Sequence, residues 1–367
     1  MSHTKALLEE SVSRVLEYLE KKHLEEISSS SLENIFTQST LKGRIKGTIE
    51  KAINKLGYHL GKVETIRELE QEKVYPLFKL YSVQTLWTVL KDDAAFDHAY
   101  ELLSDNHSKE TFNWFIKARV VFAFLGNAAF KLYPPSVDEQ SYSAGVNKIT
   151  SSTKKGLVLI EGFKLKPASE AIFASFRVEQ YRLPEIVEPE QGDWVLDLGG
   201  FFGETAFWFS KRVGEMGKVF CFEPVSENYR VLEENLRTNK VKNIVPMKMA
   251  VGDFTGEIRI SGSDSGATFS EAGATVPCIS IDEYVSRFQL KKVNMIKMDI
   301  EGYELNALKG AKETLKRFRP KLAISVYHKG DDLPKIPFFI EQLSLSYRMF
   351  LRHYSPQVNE TVLFAIV

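Results

Sequence analysis

The segment VLDLGGFFGETAFWFS, Val195 to Ser210, decides how the rest of the chain is read. Val195, Leu196 and Leu198 make an apolar run suited to a central parallel strand. Gly199, Gly200 and Gly203 follow, where a backbone without Cβ can turn tightly and approach a ligand closely. From Thr205 to Ser210 the pattern is that of an apolar helix. Roughly twenty residues past the turn, VFCFEP gives a second apolar strand that ends in Glu223. A strand, a glycine turn, a helix and a strand-terminal acid describe a nucleoside pocket in which the acid accepts ribose hydroxyls. The competing reading is a glycine-rich turn in some other doubly wound sheet.

Absent motifs narrow the nucleoside. The dinucleotide fingerprint G-x-G-x-x-G does not fit. Counted from Gly199, its later glycines fall on Phe201 and Glu204, and counted from Gly200 on Phe202 and Thr205. The G-K-[ST] of a phosphate-binding loop is missing here. The turn is flanked by Asp197 and Glu204 and carries no base, a poor seat for pyrophosphate. S-adenosylmethionine has no phosphate and bears a sulfonium cation, which suits an acidic, glycine-lined turn.

A second signal is VNMIKMDIEGYELNALKGA, Val293 to Ala311. Val293 to Met298 read as a strand with Asp299 at its carboxyl end, where ligands bind in open α/β sheets. Glu301 and Gly302 make a turn. A helix is expected from Tyr303, with Leu305, Leu308, Ala311 and Leu315 on one face and Pro320 as its stop. LAISVYH then places His328 at the end of another strand. Acids and a histidine at successive strand ends form a site pattern rather than a packing pattern.

These residues also carry a family resemblance. From about Phe173 to Val367 the chain resembles the FkbM family of S-adenosylmethionine-dependent O-methyltransferases. The matching pieces are D-x-G-G-x-x-G-E from Asp197, F-E-P at Phe222 to Pro224, and N-x3-N at Asn235 and Asn239. A-V-G-D at Ala250 to Asp253 and I-D-E-Y at Ile281 to Tyr284 match as well. The most specific is K-M-D-I-E-G-Y-E, Lys297 to Glu304, followed by L-K-G-A. The wider family commonly has Asn at the place of Phe201 and Ala at that of Gly200; an aromatic there is similar to one branch. The resemblance implies an α/β, Rossmann-like class I methyltransferase sheet of seven strands, six parallel and one antiparallel.

Composition sets limits. A chain of 367 residues has room for two or three domains, and 44% hydrophobic residues are ample for a core. Charge is balanced, 48 basic against 48 acidic residues, which argues against nucleic-acid binding through a bulk basic field. Cys221 and Cys278 lie in apolar runs and read as packed thiols of a reducing compartment. The start MSHTKALLEE lacks a signal-peptide core, and no apolar run is long enough to span a membrane. A cytoplasmic location is therefore expected.

We divide the chain into a helical region, 1–135, a connecting segment, 136–191, and a methyltransferase domain, 192–367. In the first, Lys5 to Ile27 reads as an amphipathic helix with Leu7, Val12, Val15, Leu16, Leu19 and Leu24 at helical spacing. A break at Ser28 to Ser31 and a basic stretch, Lys42 to Lys55, follow. Helices are predicted near 74–90, 94–103 and 109–130, with Ser104 or Asp105 as a cap. This region could serve as lid, docking arm or self-association surface. Only one short strand, 157–160, is predicted in the connecting segment. Strands are then expected near 194–199, 218–223, 243–248, 293–299, 321–327, 346–353 and 361–367, with helices after the first, second, fourth and fifth. The short link 355–360 forces the last pair to be antiparallel. Residues 256–282 read as an added hairpin whose polar loop suits a mobile flap.

The expected chemistry is in-line methyl transfer to oxygen, in which the protein aligns the acceptor and removes its proton. His328 is the first candidate base, because an ordinary imidazole titrates near neutrality. His353 is the second, and the two strands carrying them are expected to be neighbours. Asp299 and Glu301 would face the sulfonium or hold the acceptor. A divalent-metal site at Asp299, Glu301 and His328 is conceivable, with suitable donors for Mg or Mn, but it is not the favoured reading. Glu223 is assigned to the ribose, Asp197 to the glycine turn and methionyl amine, and Gly199, Gly200 and Gly203 to close backbone approach. Phe201 is placed against cofactor or acceptor, and Asp253 at the adenine edge. The acceptor is expected to be a sugar, glycan or small metabolite. Methylation of protein or RNA, and a non-catalytic scaffold, are the alternatives.

Overall fold

The computed structural model describes residues 2–27, 76–261, 268–269 and 273–367. The Ser28–Ser31 break, the basic stretch 42–55 and most of the 262–272 loop lie outside the described residues.

The chain opens with helices α1 (His3–Ile27), α2 (Pro76–Lys91), α3 (Asp93–Glu101) and α4 (Asn106–Leu125), then a short α5 (Ala129–Leu132). Asp105 caps α4, its carboxylate accepting the Ser108 N–H at 2.6 Å. Leu7, Val12 and Val15 of α1 are buried as the periodicity predicts. The connecting segment holds more order than its sequence suggested. Asp138 caps a helix, α6 (Glu139–Ser151), and the predicted strand is half of a hairpin, β1 (Val158–Ile160) with β2 (Phe163–Leu165). A short α7 (Ser169–Phe173) follows, continued by a π-helical turn at Ala174–Val178.

The main sheet begins at β3 (Trp194–Leu198), followed by α8 (Glu204–Val213), β4 (Lys218–Phe222), α9 (Ser226–Asn239) and β5 (Ile244–Met247). A second sheet interrupts it, made of β6 (Ala250–Gly252), β7 (Gly256–Ser261), β8 (Thr268–Phe269) and β9 (Ala274–Ser280). The expected hairpin is thus part of a four-stranded sheet, in which β9 also pairs parallel to β6. Then come α10 (Ile281–Arg287), β10 (Met295–Met298), α11 (Glu304–Lys309), α12 (Lys312–Phe318), β11 (Lys321–Ser325), α13 (Asp332–Gln342), β12 (Arg348–His353) and β13 (Thr361–Ile366).

The seven-stranded order is β12-β13-β11-β10-β3-β4-β5, with only β13 reversed. This is the expected Rossmann-like sheet, and β12 and β13 are antiparallel as the short link requires. Three details differ. Helix α10, capped by Ser280, stands before β10, where no helix was predicted. The helix expected from Tyr303 is broken at Gly310, which packs so closely on β6 that a Cβ would lie 2.1 Å from the Gly252 carbonyl oxygen. And β13 lies between β11 and β12, so the strands bearing His328 and His353 are not neighbours.

Alternate residues of the strands serve two cores. Leu196, Phe222, Ile296, Met298, Ile324 and Leu351 pack with α10–α13 and with Leu7, Phe112 and Ile116 of the N-terminal helices. Val195, Cys221, Met295 and Phe364 pack with β1, β2, Ile172 and α8. The buried Arg119 of α4 joins helices to sheet, donating at 2.7 Å to the carbonyls of Tyr327 and Val358. The chain leaves β3 towards β4 on one side and later returns to β10 on the other. That switch point opens a crevice above β3, β4 and β10, where such sheets bind ligands.

Candidate active site

The glycine turn after β3 is held from below. Lys297, a charged residue in an otherwise apolar strand, is 1% exposed. Its Nζ lies 3.2 Å from Asp197 Oδ1 and donates to the Gly199 carbonyl at 2.7 Å. Asp197 Oδ2 accepts the Thr205 hydroxyl at 2.7 Å. Burial opposes the Lys297 charge, but Asp197 and Asp299 outweigh it and raise its pKa. Asp197 is fully buried under the turn and lines neither cavity, a position that braces the loop rather than one facing the methionyl amine also assigned to it. Gly199 has φ +84°, and a Cβ there would lie 1.8 Å from the Asp299 carbonyl oxygen. At Gly200 a Cβ would meet Cys221 Sγ at 2.2 Å. Gly203 turns into α8 with φ +97° and packs on Leu232, away from both cavities.

Glu223, at the end of β4, accepts the backbone N–H of Phe201 and of Val225, each at 2.8 Å. The contact holds Phe201 in a left-handed conformation, φ +48°, with its ring stacked on Phe202 at 4.0 Å. Burial pushes the Glu223 carboxyl up to about 7. Beside it is a narrow slot of about 110 Å³ lined by Glu223, Val225, Met249, Val251, Ile260 and Ile300. Apolar walls and an acid at one end fit a flat base joined to a ribose. Asp253 does not line this slot. It stands exposed on the turn after β6, accepting from Asn306 Nδ2 at 3.2 Å, whereas Ala250 and Val251, just before it, do line the slot.

The slot opens into a wider cleft of about 560 Å³. Gly199, Phe201, Asp299 and Glu301 line both. The cleft is further walled by Phe78 and Tyr81 of the N-terminal helices and by Tyr142, Gln180, Tyr181, Glu204, Tyr327, His328 and Glu360. The Tyr181 hydroxyl donates to Asp299 Oδ2 at 2.6 Å, and that of Tyr327 lies between Asp299 and Glu360 at 3.3 and 3.2 Å.

His328 is 2% exposed and stands among carboxylates. Its Nδ1 is 2.9 Å from Glu304 Oε1, and its Nε2 is 3.3 Å from Asp299 and 3.6 Å from Glu301. Burial alone would lower the imidazole, but Glu304, Glu301 and Asp299 together raise it well above the ordinary histidine range. His328 therefore holds its proton at neutral pH. This corrects the expectation of a histidine titrating near neutrality: the residue is in place but charged. Burial would likewise raise Asp299, but His328 and Lys297 hold it below the usual carboxylate range. Glu301, in a left-handed turn at φ +54°, is pushed up by burial to about 7. Asp299, Glu304 and His328 each bring a ligand atom within 4.8 Å of the others. The imidazolium already supplies the counter-charge there, and we assign no metal.

His353 is elsewhere. Its Nδ1 bonds the Thr361 hydroxyl at 2.8 Å and its ring packs on Trp114 at 4.2 Å. Burial lowers it to about 3, and it lines neither cavity. It is a packed, neutral histidine rather than a second base.

Sequence reasoning overlooked Tyr181, Tyr327 and Glu360, and took Glu204 only as an acid flanking the turn. Glu204 is the first residue of α8 and 3% exposed, with Oε1 lacking a hydrogen-bond partner, and burial raises it to about 8. An ionisable residue directly after a glycine turn, opening a helix, was the available signal. Lys297 inside an apolar strand was another.

A doubly wound sheet with this switch point, glycine turn and strand-terminal acid defines the Rossmann-like methyltransferase class. Residues 172–354 match the methyltransferase FkbM domain, and the chain belongs to the FkbM methyltransferase family. It is 28% identical over 164 residues to the hexuronic acid methyltransferase AglP of Haloferax volcanii, a match spanning 43% of this chain and 66% of that relative. In fold it is similar to a crystal structure of methyltransferase FkbM from Methylobacillus flagellatus KT. The TM-score is 0.54 at 22% identity, over 87% of this chain and 70% of that one. No helix among the described residues is long and apolar enough to cross a membrane.

Proposed function

We propose that this chain transfers the methyl group of S-adenosylmethionine to a hydroxyl of a sugar or glycan. The observation that carries the reading is the lining shared by slot and cleft. Gly199, Phe201, Asp299 and Glu301 stand where a donor lying in the slot would present its reactive end to an acceptor in the cleft. The residues fit the donor. Glu223 retains acceptor capacity for ribose hydroxyls, Gly199 leaves room that a Cβ would fill, and the unpartnered Glu204 Oε1 suits the methionyl ammonium. When bound, the donor supplies an activated methyl group on a sulfonium.

The chain's own task is alignment and proton removal. Phe78, Tyr81 and Tyr142 offer ring faces, and Gln180, Gln357 and Asn359 offer hydrogen bonds, a mixture that matches the apolar faces and polar edges of a pyranose. Since His328 is already protonated, Glu301 is the base: it faces both cavities and titrates near the working pH. His328 keeps Asp299 and Glu301 in register, and Tyr181 anchors Asp299.

The test is transfer of labelled methyl from S-adenosylmethionine to a panel of glycosides and free metabolites. Label on a sugar oxygen is expected. Label found only on protein or RNA would favour the macromolecular alternative and contradict this reading.

A further inference from the structure

The charge of the acceptor cleft narrows its substrate, an inference that rests on the reading of the chain as a sugar O-methyltransferase. Glu204, Asp299, Glu301 and Glu360 line the cleft, and Glu170 stands at its rim. Two cationic side chains line it among the described residues, Lys297 and His328. Both are already engaged. Lys297 is held by Asp197 and by the carbonyls of Leu198 and Gly199. His328 is held by Glu304 on one nitrogen and faces Asp299 and Glu301 with the other. Arg119 is fully buried and does not line the cleft; its Nη2 donates to the carbonyls of Tyr327 and Val358, while its Nε and Nη1 have no hydrogen-bond partner.

We infer that the acceptor is a neutral or amino-bearing sugar, and that the cleft discriminates against uronic acids. A carboxylate entering here would meet several carboxyl groups and, among the described residues lining the cleft, no cation free to pair with it, whereas an ammonium would find acceptors there. Asp299 is held ionised, and burial together with neighbouring carboxylates drives Glu204, Glu301 and Glu360 towards their protonated forms, Glu360 to about 8 with Asp299 as the next cause, so the site resists further negative charge. Neutral hydroxyls meet no such penalty and can exchange hydrogen bonds with carboxyls in either state. The relative from Haloferax volcanii is named for a hexuronic acid; this cleft is built for a different charge.

The experiment compares methyl glycosides of glucose, glucosamine and glucuronic acid as acceptors at saturating S-adenosylmethionine. The glucuronide is expected to show kcat/KM lower than the glucoside by roughly tenfold to hundredfold, from like-charge repulsion at partly buried sites. Its KM should rise between pH 6 and 8 as the cleft ionises, while that of the glucoside stays level. Glu360→Gln should narrow the gap, and Glu170→Gln at the exposed rim should do so to a smaller degree, with less risk to folding. A glucuronide used as well as the glucoside, or better, overturns the inference and leaves the sugar methyltransferase reading standing. Transfer to none of the three, with the methyl donor bound, overturns both.

Discussion

His328 Nδ1 lies 2.9 Å from Glu304 Oε1, and that contact aims Nε2 at Asp299, 3.3 Å away. Glu304 is itself fixed, accepting the Ile300 N–H at 2.8 Å. The end of β10 and the loop after β11 are thereby locked together, and a positive charge sits beneath Glu301. Because His328 helps to hold the Glu301 carboxyl down, the pair sets the pH at which a base is available.

Turnover should therefore rise with pH along an acid limb near 7, as Glu301 loses its proton. Glu301→Gln should lower turnover by roughly 10²–10⁴ and abolish the limb. His328→Asn removes the imidazolium, so the limb should move up by roughly one unit. pH–rate profiles of the three proteins check this. A wild-type profile without a limb between pH 6 and 8 would remove Glu301 from the role.

Gly199→Ala tests the turn. The left-handed φ and the contact with the Asp299 carbonyl leave no room for Cβ. The cost should be at least ~2 kcal/mol, with β3 and β10 forced apart and donor binding lost. Chemical denaturation and calorimetry give the two readouts. An alanine variant of undiminished stability and affinity would show that the strands yield easily.

His353 gives a stability prediction of definite sign. Its imidazole titrates near 6.5 when unfolded and near 3 in the fold. Between those values the unfolded chain binds more protons, so this contribution is intact above about pH 6.5 and is lost as pH falls towards 3. The urea midpoint should drop between pH 7.5 and 4.5, and less steeply in His353→Gln. Binding of the methyl donor at neutral pH should be alike in both. Equal slopes would mean that the burial of His353 is not felt.

The parts of the fold visible in the sequence are those where a local pattern has one solution. The runs before Gly199 and Asp299 are too apolar and too short for anything but buried strands, and a link as short as 355–360 permits only an antiparallel pair. Helix α6 escaped because EQSYSAGVNKITS buries little more than Tyr142 and Ile149, leaving faint periodicity. The break at Gly310 depends on β6, far away in sequence. The site divides along the same line. Glu223 and Asp299 were legible because strand ends are where such sheets bind. The state of His328 and the irrelevance of His353 were not. Two histidines at the ends of apolar runs look alike, and only the fold surrounds one with three carboxylates and the other with Trp114. The contribution of Tyr81 to the cleft likewise arises from packing of α2 against the loop after β11, where Gly330 admits the helix backbone.

The most direct test of the account is calorimetric titration of S-adenosylmethionine into the wild-type chain and into Glu223→Ala. The account predicts one site per chain in the wild type. It predicts a loss of affinity of roughly tenfold to hundredfold in the variant, from removal of charged hydrogen bonds to the ribose. No binding by the wild type, or equal affinity in both proteins, would contradict it.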